Sequence, residues 1–185
     1  MAFETCLKHH FLLAMPGLAG DYFANTITYV CEHNADGALG FLVNRPLSIT
    51  VGDLLGQLGI TTTALLTEPV LEGGPVKTER GFVLHTTGGG WDATMVVSES
   101  ISLTTSRDVI EAIAVGKGPD QYLIALGYAG WGEGQLEQEI LANAWLNTPY
   151  SKHVLFDTPI DMRWRAAAGQ IGIDINLLTT PAGHG

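Results

Sequence analysis

Thr26–Val43 reads TITYVCEHNADGALGFLV, and this stretch decides the fold. Two short apolar runs, Thr26–Cys31 and Ala38–Val43, flank EHNADG, whose Asn, Asp and Gly accept tight-turn dihedrals. The reading is an antiparallel β-hairpin. Similar runs bounded by Gly, Pro, Asn and Asp predict further strands at Phe11–Met15, Val70–Glu72, Phe82–His85, Thr94–Val97, Tyr122–Tyr128 and His153–Phe156.

Helices are announced by a threonine followed three residues later by an aspartate, where hydroxyl and carboxylate can satisfy first-turn amides and complement the dipole. Thr50 and Asp53 accompany Val51, Leu54, Leu55 and Leu58, an apolar stripe of helical period that Gly59 ends. Thr105 and Asp108 accompany Val109, Ile110 and Ile113, with Gly116, Gly118 and Pro119 as the stop. Thr158 and Asp161 bracket Pro159, set at the first helical position, and Trp164, Ala167, Ala168 and Ile171 continue a face to Gly172. A fourth helix is expected from Gly134 to Ala144, facing inward through Leu136, Ile140, Leu141 and Ala144. Helices this short cannot enclose the core alone, so the expected class is α+β, a mixed and mostly antiparallel sheet with about four flanking helices.

With 185 residues, 46% of them hydrophobic, the chain can bury one core and is short for two, so a single domain over 1–185 is expected. Nine Lys plus Arg against nineteen Asp plus Glu give a formal net charge of -10. That balance repels phosphate backbones and anionic membranes, which argues against direct DNA binding and against a membrane partner. Cys6 and Cys31 are too few for a disulfide framework and form no zinc spacing, and a reducing cytoplasm fits them. Glu4 and the break at Pro16 and Gly17 argue against a signal peptide, and no apolar run approaches the roughly 18 residues of a membrane span. Thr61–Thr67 and Thr179–Gly185 are the segments expected to be mobile.

GYAGWGEGQLEQEI, from Gly127 to Ile140, raises the question of a phosphate loop. Such a loop needs helix N-terminal amides completed by a lysine or hydroxyl, whereas Glu133, Glu137 and Glu139 crowd this one with negative charge. The glycines are therefore read as close-packing and turn residues, and Trp131 as a plug in the core. In TITYVCEHN, alternation places Ile27, Tyr29, Cys31 and His33 on one strand face. Cys31 and His33 are then neighbours, as a nucleophile and its activating imidazole would be, and form the candidate catalytic pair. Burial of Cys31 beside Ile27 and Tyr29 is the competing, structural reading.

Other polar residues end apolar strands: Asn44 and Arg45 before Pro46, Glu72 before Gly73 and Gly74, Arg80, and His85 after FVL. If those strands share a rim, these residues line a pocket mouth with Arg45 or Arg80 as a carboxylate fork; otherwise they are caps and surface ion pairs. No Asp, Glu and His spacing suits a metal, no GxSxG is present, and no cofactor is implied.

In this order, LLAMPGLAGDYFANTITYVCEHNADGALGFLVNRP, EGGPVKTERGFVLH and LGYAGWGEGQLEQEI, continuing through NAWL, resemble the YqgE/AlgH family of bacterial proteins and particularly its pseudomonad AlgH branch. The resemblance implies a single-domain α+β fold whose bifurcated sheet curls into a pseudo-barrel. It also implies a cytosolic protein described as a regulator of transcription, with AlgH linked to control of alginate production. The family's biochemical activity is not settled, so no catalytic residue is carried over. Motif positions Glu32, His33, Asn34, Asn44, Arg45, Pro46, Gly73, Gly74, Pro75, His85, Trp131 and Gln135 are where a site is expected, and the rim reading adds Arg80.

The helices are separated by strands, so no helix-turn-helix is expected, and the only close basic pair in the sequence is Arg163 and Arg165. Three functions follow. The first is a non-enzymatic regulatory module acting indirectly through a small molecule or a protein partner. The second is a small-molecule enzyme or redox sensor using Cys31 and His33, and the third a structural partner in a complex.

Overall fold

The computed structural model describes residues 6–17 and 19–173. Its elements run β1 (His10–Ala14), β2 (Ile27–Asn34), β3 (Gly37–Leu42), β4 (Pro46–Thr50), α1 (Val51–Gln57), β5 (Pro69–Glu72), β6 (Val76–Thr86), β7 (Thr94–Val96), β8 (Ile101–Thr104), α2 (Arg107–Ala114), β9 (Tyr122–Trp131), α3 (Gln135–Leu141), β10 (Trp145–Pro149) and α4 (Arg163–Gln170). The class is α+β, with mixed and mostly antiparallel pairing, as the sequence suggests. The described residues fall into two compact units, one made of those up to Asn44 together with those from Gly130 onward, the other of 45–129.

In the first unit the strands are antiparallel neighbours in the order β10, β1, β2, β3. The hairpin forms with a tighter turn than its sequence suggests: β2 reaches Asn34 and β3 starts at Gly37, leaving Ala35 and Asp36 as the turn. Asn34 Oδ1 accepts from the Asp36 amide at 2.8 Å. Gly37 takes φ 138, and a Cβ there would lie 2.1 Å from the Trp131 carbonyl oxygen, so the turn must end on glycine. The register slips between Val30, opposite Gly40, and Glu32, opposite Leu39. Cys31 is thus the extra residue of a β-bulge, and the strict alternation expected to set it on one face with His33 does not hold across it. Trp164 of α4 anchors that helix to β1, its Nε1 donating to the Ala14 carbonyl at 3.3 Å.

Three expectations in this unit are corrected. His153–Phe156 is not a strand but part of a π-helical turn, His153–Asp157. Thr158 Oγ1 donates to the His153 carbonyl and Ser151 Oγ accepts from the Val154 amide, so local side-chain bonds outweigh the β propensity of the apolar run. Thr158 therefore caps no helix; a 3-10 turn, Ile160–Met162, follows Pro159, and α4 starts at Arg163. The helix expected from Gly134 to Ala144 ends at Leu141, because Asn143 takes φ 61 and turns the chain into β10, a strand the pattern did not reveal. The tail Thr179–Gly185 lies outside the described residues.

In the second unit the order is β4, β5, β9, β6, β8, β7, antiparallel except for the parallel β5–β9 pair. β4 and β8 were not legible as strands. Thr50 closes the expected capping box on α1: its Oγ1 accepts from the Asp53 amide at 3.0 Å, and Asp53 Oδ2 accepts from the Thr50 amide at 2.9 Å. α2 departs from expectation, since Ser106 and not Thr105 is its N-cap, and its hydroxyl donates to Asp108 Oδ1 at 2.5 Å and accepts from the Ala93 amide at 3.0 Å without capping a first-turn amide. Val51, Leu54 and Leu55 of α1 and Val109 and Ile113 of α2 pack with Val70, Val83 and Ile124 into one core. Segment 61–67 is tied back by the Thr63 amide, which donates to the Ala114 carbonyl at 2.9 Å.

One irregularity in this unit positions side chains outside the ladder. β6 pairs with β9 from Gly81 to His85 and again at Val76, opposite Tyr128. Between these points Lys77–Arg80 loop out opposite the single residue Gly127. Lys77 takes φ 48 and Gly127 φ 78, and a Cβ on Gly127 would lie 2.5 Å from the Gly74 carbonyl oxygen. The glycine of GYAGW is therefore a close-packing residue, as its sequence context suggests, and Trp131 is buried.

Candidate functional site

In the first unit His33, Trp131 and Gln135 meet around α3. Leu7 N–H donates to His33 Nδ1 at 2.8 Å, so that nitrogen carries no proton and Nε2–H is the donor to Glu137 Oε1 at 2.9 Å. The ring is buried and both nitrogens are engaged, which leaves neither to act as a base toward a thiol. Cys31 is fully buried, and desolvation, with Glu32 as the nearby like charge, raises its thiol pKa far above the ordinary value. A thiol held protonated and inaccessible is a poor nucleophile. Glu32 Oε1 accepts from the His33 amide at 3.2 Å.

Two residues further along α3, Glu139 collects three donors. Its Oε1 accepts from Trp131 Nε1 at 3.1 Å and Trp145 Nε1 at 2.8 Å, and its Oε2 from Gln135 Nε2 at 2.8 Å. Gln135 Oε1 accepts in turn from the Gly132 amide at 2.9 Å. The indoles meet edge to face, 5.9 Å between centroids, and Phe23 stands 5.4 Å from Trp145. This network fixes the turn from Trp131 into α3 and buries its aromatic groups. Asn44 has a similar bracing role, accepting from the Ile27 amide at 3.1 Å and donating to the Asn25 carbonyl at 2.9 Å.

In the second unit the candidates separate into three places. Arg45 Nη1 pairs with Glu72 Oε2 at 3.3 Å, while the Gly73 amide donates to the Leu126 carbonyl and Gly74 lies against the Tyr128 backbone. His85 is completely buried: Nδ1 donates to the Thr86 carbonyl at 2.7 Å, which leaves Nε2 of the neutral ring to accept from Thr104 Oγ1 at 2.7 Å. Desolvation lowers the His85 pKa, partly offset by the Thr86 carbonyl. With its own proton on His85, Thr104 Oγ1 accepts from Thr94 Oγ1 at 2.8 Å, and Thr94 Oγ1 also lies 3.1 Å from the Trp91 carbonyl oxygen.

The third place is an open cleft of about 250 Å³. Leu54, Leu58, Ile110 and Leu126 supply an apolar wall, and Arg80 and Arg107 supply positive charge. Arg80 reaches it from the looped-out part of β6, its Cζ 5.6 Å from the Phe82 ring centroid. Arg107 opens α2, with Nη2 donating to the Leu58 carbonyl at 3.1 Å and Nε a loose 3.9 Å from Glu111. Such a cleft can orient an anion by its guanidinium groups while desolvating an apolar portion. Arg80 was legible in the sequence; Arg107 was not, because at the first position of an amphipathic helix it reads as an ordinary exposed charge.

Among the described residues no group of three His, Cys, Asp or Glu side chains is placed to hold a metal ion, and no helix is long and apolar enough to cross a membrane.

The profile of the AlgH-like family matches residues 11–176. A UPF0301 protein of Methylococcus capsulatus is 54% identical over 181 residues, 97% of this chain and 96% of that one. A UPF0301 protein of Saccharophagus degradans is 51% identical over 179 residues, 96% of this chain and 88% of that one. The solution structure of the AlgH protein from Pseudomonas aeruginosa is similar over 100% of this chain and 99% of that chain, with 46% identity and a TM-score of 0.78. A crystal structure from Corynebacterium diphtheriae shares the fold at 19% identity, with a TM-score of 0.74 over 98% of this chain and 95% of that chain.

Proposed function

Because the chain belongs to the AlgH-like family, we propose that it is a cytoplasmic, non-catalytic regulatory module that acts on gene expression indirectly. In this reading a small carboxylate-bearing ligand occupies the Arg80–Arg107 cleft, and a protein partner reads the bound state. Control of alginate production, implied by the family resemblance, is the proposed output. The observation that carries the reading is the cleft itself, two guanidinium groups set beside an apolar wall. A net charge of -10 supports the indirect route, since a promoter's phosphates would be repelled. Two free cysteines without a disulfide support the cytoplasm.

The enzyme or redox-sensor alternative is weakened by the burial of Cys31 and by the prior engagement of both His33 nitrogens. The test has two arms. Small aliphatic carboxylates should raise the melting temperature of the native chain, and Arg80→Gln should abolish that rise. Fluorescence anisotropy with promoter DNA should show no specific binding; salt-sensitive, sub-micromolar binding would overturn the indirect route.

A further inference from the structure

Neighbouring residues on a regular strand point to opposite faces of the sheet. Glu79 and Arg80 are neighbours and both border the same cleft, within the four-residue excursion opposite Gly127 that lies outside the ladder. The cleft therefore carries an acid as well as two bases. No ion pair among the described residues joins Glu79 to Arg80 or Arg107.

This pattern selects among ligands. A simple carboxylate would answer the arginines and meet Glu79 as a like charge, while a simple amine would answer Glu79 and be repelled twice. A zwitterion answers all three. The remaining wall, Leu54, Leu58, Ile110 and Leu126, offers aliphatic carbon to the third substituent. At about 250 Å³ the space falls below the roughly 300–1,000 Å³ of pockets for larger ligands, which suits a molecule of few heavy atoms.

Resting on the reading of this cleft as a ligand site, we infer that it takes a leucine-sized aliphatic α-amino acid. Its carboxylate faces Arg80 and Arg107, its ammonium group faces Glu79, and its side chain lies on the leucine and isoleucine wall. Binding is noncovalent and leaves the amino acid unchanged.

The experiment is calorimetric titration of the full chain with L-leucine, 4-methylpentanoate, which lacks the amine, and 3-methylbutylamine, which lacks the carboxylate. L-leucine should bind saturably, and each truncated compound at least about tenfold more weakly, as expected for loss of one charge-assisted contact. Glu79→Gln should weaken leucine by about tenfold without weakening 4-methylpentanoate, and Arg80→Gln should weaken both. Both substituted positions are exposed, so unchanged thermal melting of the variants serves as the folding control. If 4-methylpentanoate binds as tightly as leucine, the amino-acid assignment is overturned while the anion cleft stands. If none of the three compounds binds, both readings fail.

Discussion

Gly74 lies so close to Tyr128 that a Cβ on the glycine would come within 2.0 Å of the tyrosine carbonyl carbon. Backbone cannot retreat here as a flexible side chain could, because Gly73 N–H is bonded to the Leu126 carbonyl on the same strand. Gly74→Ala should destabilise the chain by about 1–3 kcal/mol through overpacking. Gly56→Ala, in α1 with nothing within 4 Å of the new methyl, should be neutral or stabilising by up to about 1 kcal/mol. Urea midpoints of the two variants measure the contrast; equal midpoints would remove close packing as the reason for the glycine.

The thiols should behave unequally. Cys6 is exposed and Cys31 is fully buried, so maleimide should label Cys6 in the native chain and Cys31 only as fast as the chain opens. Mass spectrometry of timed samples distinguishes the two sites. Rapid native labelling of Cys31 that slows in His33→Ala would restore the reactive pair.

Removing the carboxylate of Glu139 leaves two indole N–H groups without their acceptor. Glu139→Ala should cost about 1–3 kcal/mol and shift the tryptophan emission, whereas Glu139→Gln, which keeps one acceptor oxygen, should cost less. Chemical denaturation followed by fluorescence reads both effects. Equal losses in the two variants would mean that packing, not hydrogen bonding, sets the role of Glu139.

Acid should weaken the fold through two histidines that folding desolvates, the buried His85 and the partly buried His9. Burial lowers the pKa of His85 below its ordinary 6.5, and burial with the neighbouring His10 lowers that of His9. The unfolded chain then binds more protons than the folded one in the window between the lowered values and 6.5, so stability must rise with pH there. Stability from these groups is present above 6.5 and is lost as pH falls from that value through the folded-state pKa. His85→Gln should flatten the acid limb of a denaturation-midpoint profile, and an unchanged slope would assign the acid limb to other groups.

How much of this was legible depended on the range of the forces involved. The β2–β3 hairpin and the Thr50–Asp53 box are specified by residues adjacent in sequence, and both form. β10 was hidden because Trp145–Pro149 becomes a strand by pairing with β1, far away in the chain. Cys31 and His33 lose their expected shared face for a similar reason: period two predicts it, and a bulge against the partner strand interrupts it. Arg80 could be singled out from its strand-end position, whereas Glu79, Arg107 and the acceptor role of Glu139 emerge only when separate elements converge.

The excursion at Lys77–Arg80 separates surface chemistry from sheet pairing. Sheet pairing is secured on either side, at Val76 with Tyr128 and at Gly81 with Leu126, so the four intervening residues bear no part of the ladder. Substitution of an exposed side chain there alters the chemistry offered to solvent while the strands stay in register. What the segment offers and what holds the sheet are thus carried by different residues, so a change at Glu79 or Arg80 draws on none of the pairing that fixes β6 against β9.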